Sequence, residues 1–321
     1  MATTLGGGTT GITYADNTTE TSLKSPVRAI FAYGYAATDY YNLNLVSNYG
    51  NMSTDVGGYG SGRYGLAAAG YGGDKAIFGY GYKLSYDILY NQTNLVSNLG
   101  VPTTDTGGVG TARVFLAAAG YGGDKAIFGY GSSGIGTYAA LYSMTNLVSN
   151  TGTVASDVTG VGTARILLAA TTYGTDKAIF GYGSTMTTPF YSVTNLVSNT
   201  GVVASDVTGV GTARNGLGAA GYGGDKAIFG YGNASGSFTN IKNLVSNAGV
   251  VASDVTGVGT SRTGLAAAGY GGDKAIFAYG ATGFGSYTNI TNLVSNDGIV
   301  SSDVTGIGTS RYYLAAASYS S

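Results

Sequence analysis

Asp and Arg recur eight residues apart, six times: Asp55 and Arg63, Asp105 and Arg113, Asp157 and Arg165, Asp206 and Arg214, Asp254 and Arg262, and Asp303 and Arg311. A carboxylate and a guanidinium at such a spacing support three chemistries. They can form an ion pair that anchors a chain crossing, the Arg can line an anion site, or the Asp can lend oxygen to a hard cation. Every unit carries the same pair, whereas a binding site normally breaks symmetry. The pairs are therefore read as structural anchors that fix one unit against the next. Each SDVTG-like segment brings one carboxylate without EF-hand spacing, so no metal is expected. GYGGDK and GVGTAR set Gly-rich backbone beside a cation, as a phosphate cradle does. No helix follows them, and they read as turns.

Other chemistry is restricted by composition. The 321 residues include no Cys, His or Trp, which excludes disulfides, zinc fingers, iron–sulfur clusters, copper sites and histidine triads. No cofactor is expected. Only eight charged residues fall outside the repeated positions: Asp16, Glu20, Lys24, Asp39, Lys83, Asp87, Lys242 and Asp297. They offer no carboxylate pair clearly placed for glycoside chemistry, so a glycosidase or lyase is the least favoured reading. A net charge of −1 with 10% charged residues implies neither nucleic-acid binding nor a basic membrane face. There is no apolar run long enough to insert in a membrane. MATTLGGGTTGITYADNTTE shows no secretory signal.

The elements that hold these residues repeat. DKAIFGYG or a variant places a Phe at Phe31, Phe78, Phe128, Phe180, Phe229 and Phe277, and NLVSN places a Leu at Leu45, Leu95, Leu147, Leu196, Leu244 and Leu293. With the six Arg they define six units of about 49 residues. Each unit divides at Gly and Asn turns into four segments of strand length, in the fifth NGLGAAGY, DKAIFGYG, FTNIKNLVSN and VVASDVTG. This predicts an all-β fold: a closed six-bladed β-propeller of four-stranded antiparallel blades. The small first segment, LAAAG, suits the crowded axis. The chain enters at a second segment, Val27 to Gly34, and ends on a lone first segment, RYYLAAASY. The C-terminal strand is thus expected to complete the first blade and remove two exposed edges. The domain reading is an N-terminal arm or docking extension at 1–25 and a propeller at 26–321.

A unit of R-x-x-LAAAGYGG-DKAIFGYG, a variable loop and TNLVSN resembles a kelch-type repeat over residues 27 to 319. Tyr-Gly replaces the usual Gly-Gly pair, and the usual Trp is missing. In its low charge and its Gly, Asn, Thr and Tyr content the chain also looks like repeats of bacteriophage virion proteins, such as tail fibres and decorations. The first resemblance implies a propeller and the alternative of an intracellular protein-interaction scaffold. The second implies a non-enzymatic surface protein, located on a virion and held by its arm to other structural proteins.

Antiparallel alternation puts the second-to-third loops on one face, and these vary between units. Their aromatics are Tyr40, Tyr41, Tyr86, Tyr90, Tyr138, Tyr142, Phe190, Tyr191, Phe238, Phe284 and Tyr287. Such side chains suit stacking on a host glycan or contact with a protein, with little charge required.

Overall fold

The computed structural model describes residues 12–13, 19–20, 27–58 and 60–320. The expected 1–25 arm lies outside the described residues except for a two-residue antiparallel pairing of Ile12–Thr13 with Thr19–Glu20. From Val27 onward the protein is all-β, with six three-stranded antiparallel sheets, one per unit. In the second unit the inner strand Ala67–Tyr71 pairs with the middle strand Lys75–Gly79, which pairs with the outer strand Thr93–Val96. The units at Ala117–Val148, Ala169–Val197, Gly218–Val245 and Ala266–Val294 repeat this order. The first unit is assembled from both ends of the chain. Ala315–Ser320 supplies its inner strand and pairs residue by residue with Val27–Ala32, from Ala315 opposite Ala32 to Ser320 opposite Val27.

The fourth segment departs from expectation. It is no regular strand, but touches the outer strand through two single bridges in five units, such as Val148 with Val154 and Thr145 with Val158, and through one in the second, Val96 with Pro102. The cause is a side chain that enters the ladder. Asn146 Nδ2 donates to the Ala155 carbonyl at 3.0 Å, and the same residue of the other units binds the Ser53, Thr103, Ala204, Ala252 and Ser301 carbonyls. A side-chain amide takes a position that a backbone N–H fills in a regular ladder.

Inner strands of consecutive units pack on one another, and those of the sixth and second units both pack on Ala315–Ser320. Backbone hydrogen bonds follow the same cycle. At one end of the inner strands, Phe115 N–H donates to the Gly65 carbonyl, Leu167 to Phe115, Gly216 to Leu167, Gly264 to Gly216, Tyr313 to Gly264 and Gly65 to Tyr313, at 2.7 to 3.0 Å. At the hairpin end, Gly72, Gly122, Gly174 and Gly223 donate to the Asp124, Asp176, Asp225 and Asp273 carbonyls of the following unit. Gly271 to Val27 and Ser320 to Asp74 complete that second cycle.

Between units the core is a repeated aromatic step. Each middle-strand Phe is buried against a Tyr of the preceding unit, as in Tyr130 with Phe180 at 5.1 Å, and the sixth unit's Tyr279 meets the first unit's Phe31 at 5.9 Å. These Tyr residues follow the middle strand with φ between 64° and 68°, a left-handed conformation that costs an L-residue roughly 1–2 kcal/mol. Burial of a large ring offsets that cost.

Candidate functional site

The best-ordered polar chemistry is the arginine frame. All six repeat Arg side chains are fully buried. In the fourth unit Arg165 donates from Nη2 to Asn195 Oδ1 at 2.7 Å, from Nη1 to the Thr163 carbonyl at 2.9 Å, and from Nε to the Tyr182 carbonyl at 2.7 Å. Its guanidinium lies 4.4 Å from the centre of the Tyr130 ring in the preceding unit, a cation–π contact that is strengthened by removal from water. Asn195 Nδ2 donates to Asp206 Oδ1 at 2.8 Å, and Asp206 Oδ2 accepts from Thr163 N–H and Oγ–H at 3.0 and 2.5 Å. The Arg thus fastens the entry of its own sheet to its outer strand and lies on a ring of the sheet before.

This corrects the pairing of residues eight apart. Arg63 pairs with Asp105 at 3.0 Å, Arg113 with Asp157 at 3.4 Å, and Arg311 with Asp55 at 3.7 Å. Arg165 and Arg214 stand 4.0 Å from Asp206 and Asp254, and Arg262 reaches Asp303 through Asn292. Each Arg therefore faces the Asp in the fourth segment of its own unit, about 40 residues further along the chain, except where Arg311 closes on Asp55. The preceding Asp, eight residues earlier, is left on the sheet that the link has just quitted. Nor is the carboxylate the main partner. Asn44, Asn94, Asn146, Asn195, Asn243 and Asn292 bind the guanidinium and the Asp together. Sequence reasoning gave these Asn no role, although an Asn before every LV was the available signal.

The frame fixes the titration of its acids. Burial alone would raise the carboxyls of Asp55, Asp105, Asp157, Asp206, Asp254 and Asp303. Hydrogen bonds from the repeat Asn and from the entry Ser or Thr outweigh it, and all six are held below the usual value. A carboxyl depressed in the folded state contributes stability above its unfolded pKa, near 3.9, and that contribution is lost as pH falls through the folded values. Six copies should make the melting temperature level from about pH 8 to 5 and fall steeply below about pH 4. Thermal melts across that range check this, and an acid-resistant melt would contradict it. The core Tyr residues move the other way. Burial pushes Tyr80 and Tyr279 up to about 12, despite the neighbouring Arg113 and Arg311.

The eleven loop aromatics divide in two. Tyr41, Tyr86, Tyr138 and Phe284 are exposed, Tyr138 and Phe284 completely, at 101% and 109%. Tyr40, Tyr90, Tyr142, Phe190, Tyr191, Phe238 and Tyr287 are half-buried. Several of these brace the frame: Tyr40 donates to Asp55 Oδ2 at 2.8 Å and its ring stands 5.2 Å from the Arg311 guanidinium, while Tyr90 stands 5.6 Å from Arg63. The first two loops are joined, since Asp39 accepts from Leu84 N–H, Ser85 N–H and Ser85 Oγ–H.

A second symmetry-breaking feature lies on the axis. Between each repeat Arg and the buried Leu that follows are two residues: Tyr64-Gly65, Val114-Phe115, Ile166-Leu167, Asn215-Gly216, Thr263-Gly264 and Tyr312-Tyr313. The second residue of each pair, with the Leu after it, lines the mouth on the loop face, around a cavity of about 70 Å³, while the first residue of each pair bridges outward to a variable loop, as Asn215 does to Asn233. A larger axial cavity of about 330 Å³ is lined by inner-strand residues, including Ala68, Gly120, Thr172 and Ser318, and by hairpin Lys side chains. Lys75, Lys125, Lys177, Lys226 and Lys274 each pair with the preceding Asp at 2.5 to 3.1 Å. Among the described residues no group of three acidic side chains is placed to hold a metal ion.

No protein-family model matches the sequence, and no curated protein does. The solved structure titled "Structure of YjhT" is similar to this one, with a TM-score of 0.62 and 11% identity over 87% of this chain and 98% of that chain. At that identity the likeness is one of fold alone.

Proposed function

We propose that this protein is a non-enzymatic surface module: a closed six-bladed, kelch-like β-propeller of the virion type, displayed on an assembly to contact a host glycan or a neighbouring subunit. The observation that carries the reading is where the charge goes. Repeat Arg and Asp are used in the buried frame, and hairpin Lys and Asp neutralise one another. What varies between units is mostly uncharged and aromatic, with Asp39, Lys83, Asp87 and Lys242 the charges in the variable loops. The two cycles of backbone hydrogen bonds and the pairing of Ala315–Ser320 with Val27–Ala32 support closure.

In this reading residues 1–25 carry attachment to other structural proteins. The test is to express the full chain and a form lacking 1–25 during assembly of the particle, and to count copies in purified particles. Stoichiometric incorporation of the full chain and loss of the truncated one is expected. A soluble monomer that captures one cytosolic protein would instead establish the interaction-scaffold alternative.

A further inference from the structure

The six second positions of the Arg-x-x-Leu entry form the backbone hydrogen-bonded ring around the axial mouth. All six have positive φ: Gly65, Gly216 and Gly264 at 61° to 63°, and Phe115, Leu167 and Tyr313 at 59°, 54° and 51°. Glycine meets that backbone requirement without strain, as three units show. A bulky residue there is an outlier. The left-handed Tyr after each middle strand recurs in all six units and serves the arginine frame. Phe115, Leu167 and Tyr313 occur in three of six, so symmetry of the fold does not require them.

Their side chains gather on one side of the mouth. Phe115 and Tyr313 approach to 5.0 Å across Gly65. Beneath and beside them are Tyr64, stacked near Tyr313, and Tyr312, stacked on Tyr287 at 4.7 Å. Phe115, Leu167, Tyr312 and Tyr313 remain partly exposed. Across the axis the fifth and sixth units offer Asn215, Gly216, Thr263 and Gly264, with Asn233 bridged to Asn215. Asn215 Nδ2 donates to Ser184 Oγ at 2.8 Å and Asn233 Oδ1 accepts from Gly236 N–H at 2.7 Å. Among the described hydrogen bonds, Asn215 Oδ1 and Asn233 Nδ2 are unused, one acceptor and one donor, both half-exposed. The nearby carboxylates are satisfied: Asp39 by the Leu84–Ser85 backbone and hydroxyl, Asp87 by the Tyr82 hydroxyl at 2.6 Å.

We infer that this mouth is a binding site for a neutral saccharide, with a pyranose ring against Tyr313 and Phe115 and its hydroxyls on Asn215 and Asn233. An aromatic wall contacts the apolar face of a sugar ring, an unused amide donor and acceptor match hydroxyls that both give and receive, and the twelve residues of the six entry pairs include no charged side chain, which favours a neutral ligand. This rests on the glycan-contact reading above and names its site.

The test uses the full chain and neutral malto-, cello-, xylo-, manno- and chito-oligosaccharides, with binding read by calorimetry and by tyrosine absorbance, which the Trp-free sequence leaves unobscured. One oligosaccharide class should bind, and Phe115→Gly and Tyr313→Gly should each weaken it at least tenfold while melting stays within a few degrees, since Gly already occupies that position in three units. Asn215→Ala, outside the strained ring, should weaken the same ligand and guards against a folding effect. Binding that survives these changes but is lost on replacing Tyr41, Tyr86, Tyr138 and Phe284 with Ala would overturn the mouth and leave glycan contact standing. Failure of every class to bind would overturn the mouth. Particle incorporation in that case would show that the surface-module reading is unaffected.

Discussion

A chain ending at Arg311, without the closing strand, is expected to lose cooperative folding. The missing segment contributes an inner strand paired over six residues with Val27–Ala32, and buries Leu314, Ala315, Ala317 and Tyr319. Burying a Leu or a large aromatic is worth roughly 1.5–3 kcal/mol each, and a backbone hydrogen bond about 0.5–1.5 kcal/mol net. Together these approach the whole stability of an ordinary domain, about 5–15 kcal/mol. The Gly65 to Tyr313 and Ser320 to Asp74 links would go with it, opening both hydrogen-bond cycles. The truncated chain should be protease-sensitive and lack a sharp melt. A peptide of sequence RYYLAAASYS added in trans should restore protection by rejoining the sheet edge. A truncated chain that melts within a few degrees of the full one would show that the sixfold cycle does not depend on its closing strand.

Arg214→Ala is the second large effect. Its side chain holds Asn243 Oδ1 at 2.7 Å, the Tyr231 carbonyl at 2.9 Å and the Thr212 carbonyl at 3.0 Å, and lies 4.2 Å from the Tyr182 ring centre. Truncation leaves these acceptors buried without a donor and opens a cavity between two sheets. A loss of about 3–5 kcal/mol is expected, the range for breaking a buried charged network from one side. Asp254→Asn should cost less, because the Arg214 to Asp254 distance is 4.0 Å and the carboxylate is partly exposed. Denaturant unfolding of the two variants measures the difference. Equal losses would mean that the ion pair, not the Asn hub, carries the network.

Much of the fold was legible because its signals are local and repeated. The Phe, Leu and Arg anchors set the unit, and the isolated RYYLAAASY segment revealed which strand must complete the first sheet. The partner of each Arg was not legible, because charge spacing measures distance along the chain and the Arg63 contact lies 42 residues on, at Asp105. An uncharged Asn decides that contact, and amides give no complementarity signal in a sequence. The fourth segment read as a strand from its length between Gly and Asn turns, while its pairing is interrupted by that same Asn. At the loop face the aromatics were visible, but nothing in their spacing told Tyr40, which braces Asp55 and Arg311, from Tyr138, which faces solvent. The mouth was concealed in the two residues between Arg and Leu. Their variation was on view, whereas their shared left-handed backbone was not.

The division of labour proposed for this protein, with charge in the frame and recognition by uncharged surface, is tested most directly by glycan-array binding of the full chain at about 0.05 and 0.5 M salt, where screening lengths differ about threefold. The account predicts binding to neutral glycans that changes by less than about twofold between the two conditions. Binding confined to charged glycans and lost at the higher salt would contradict it.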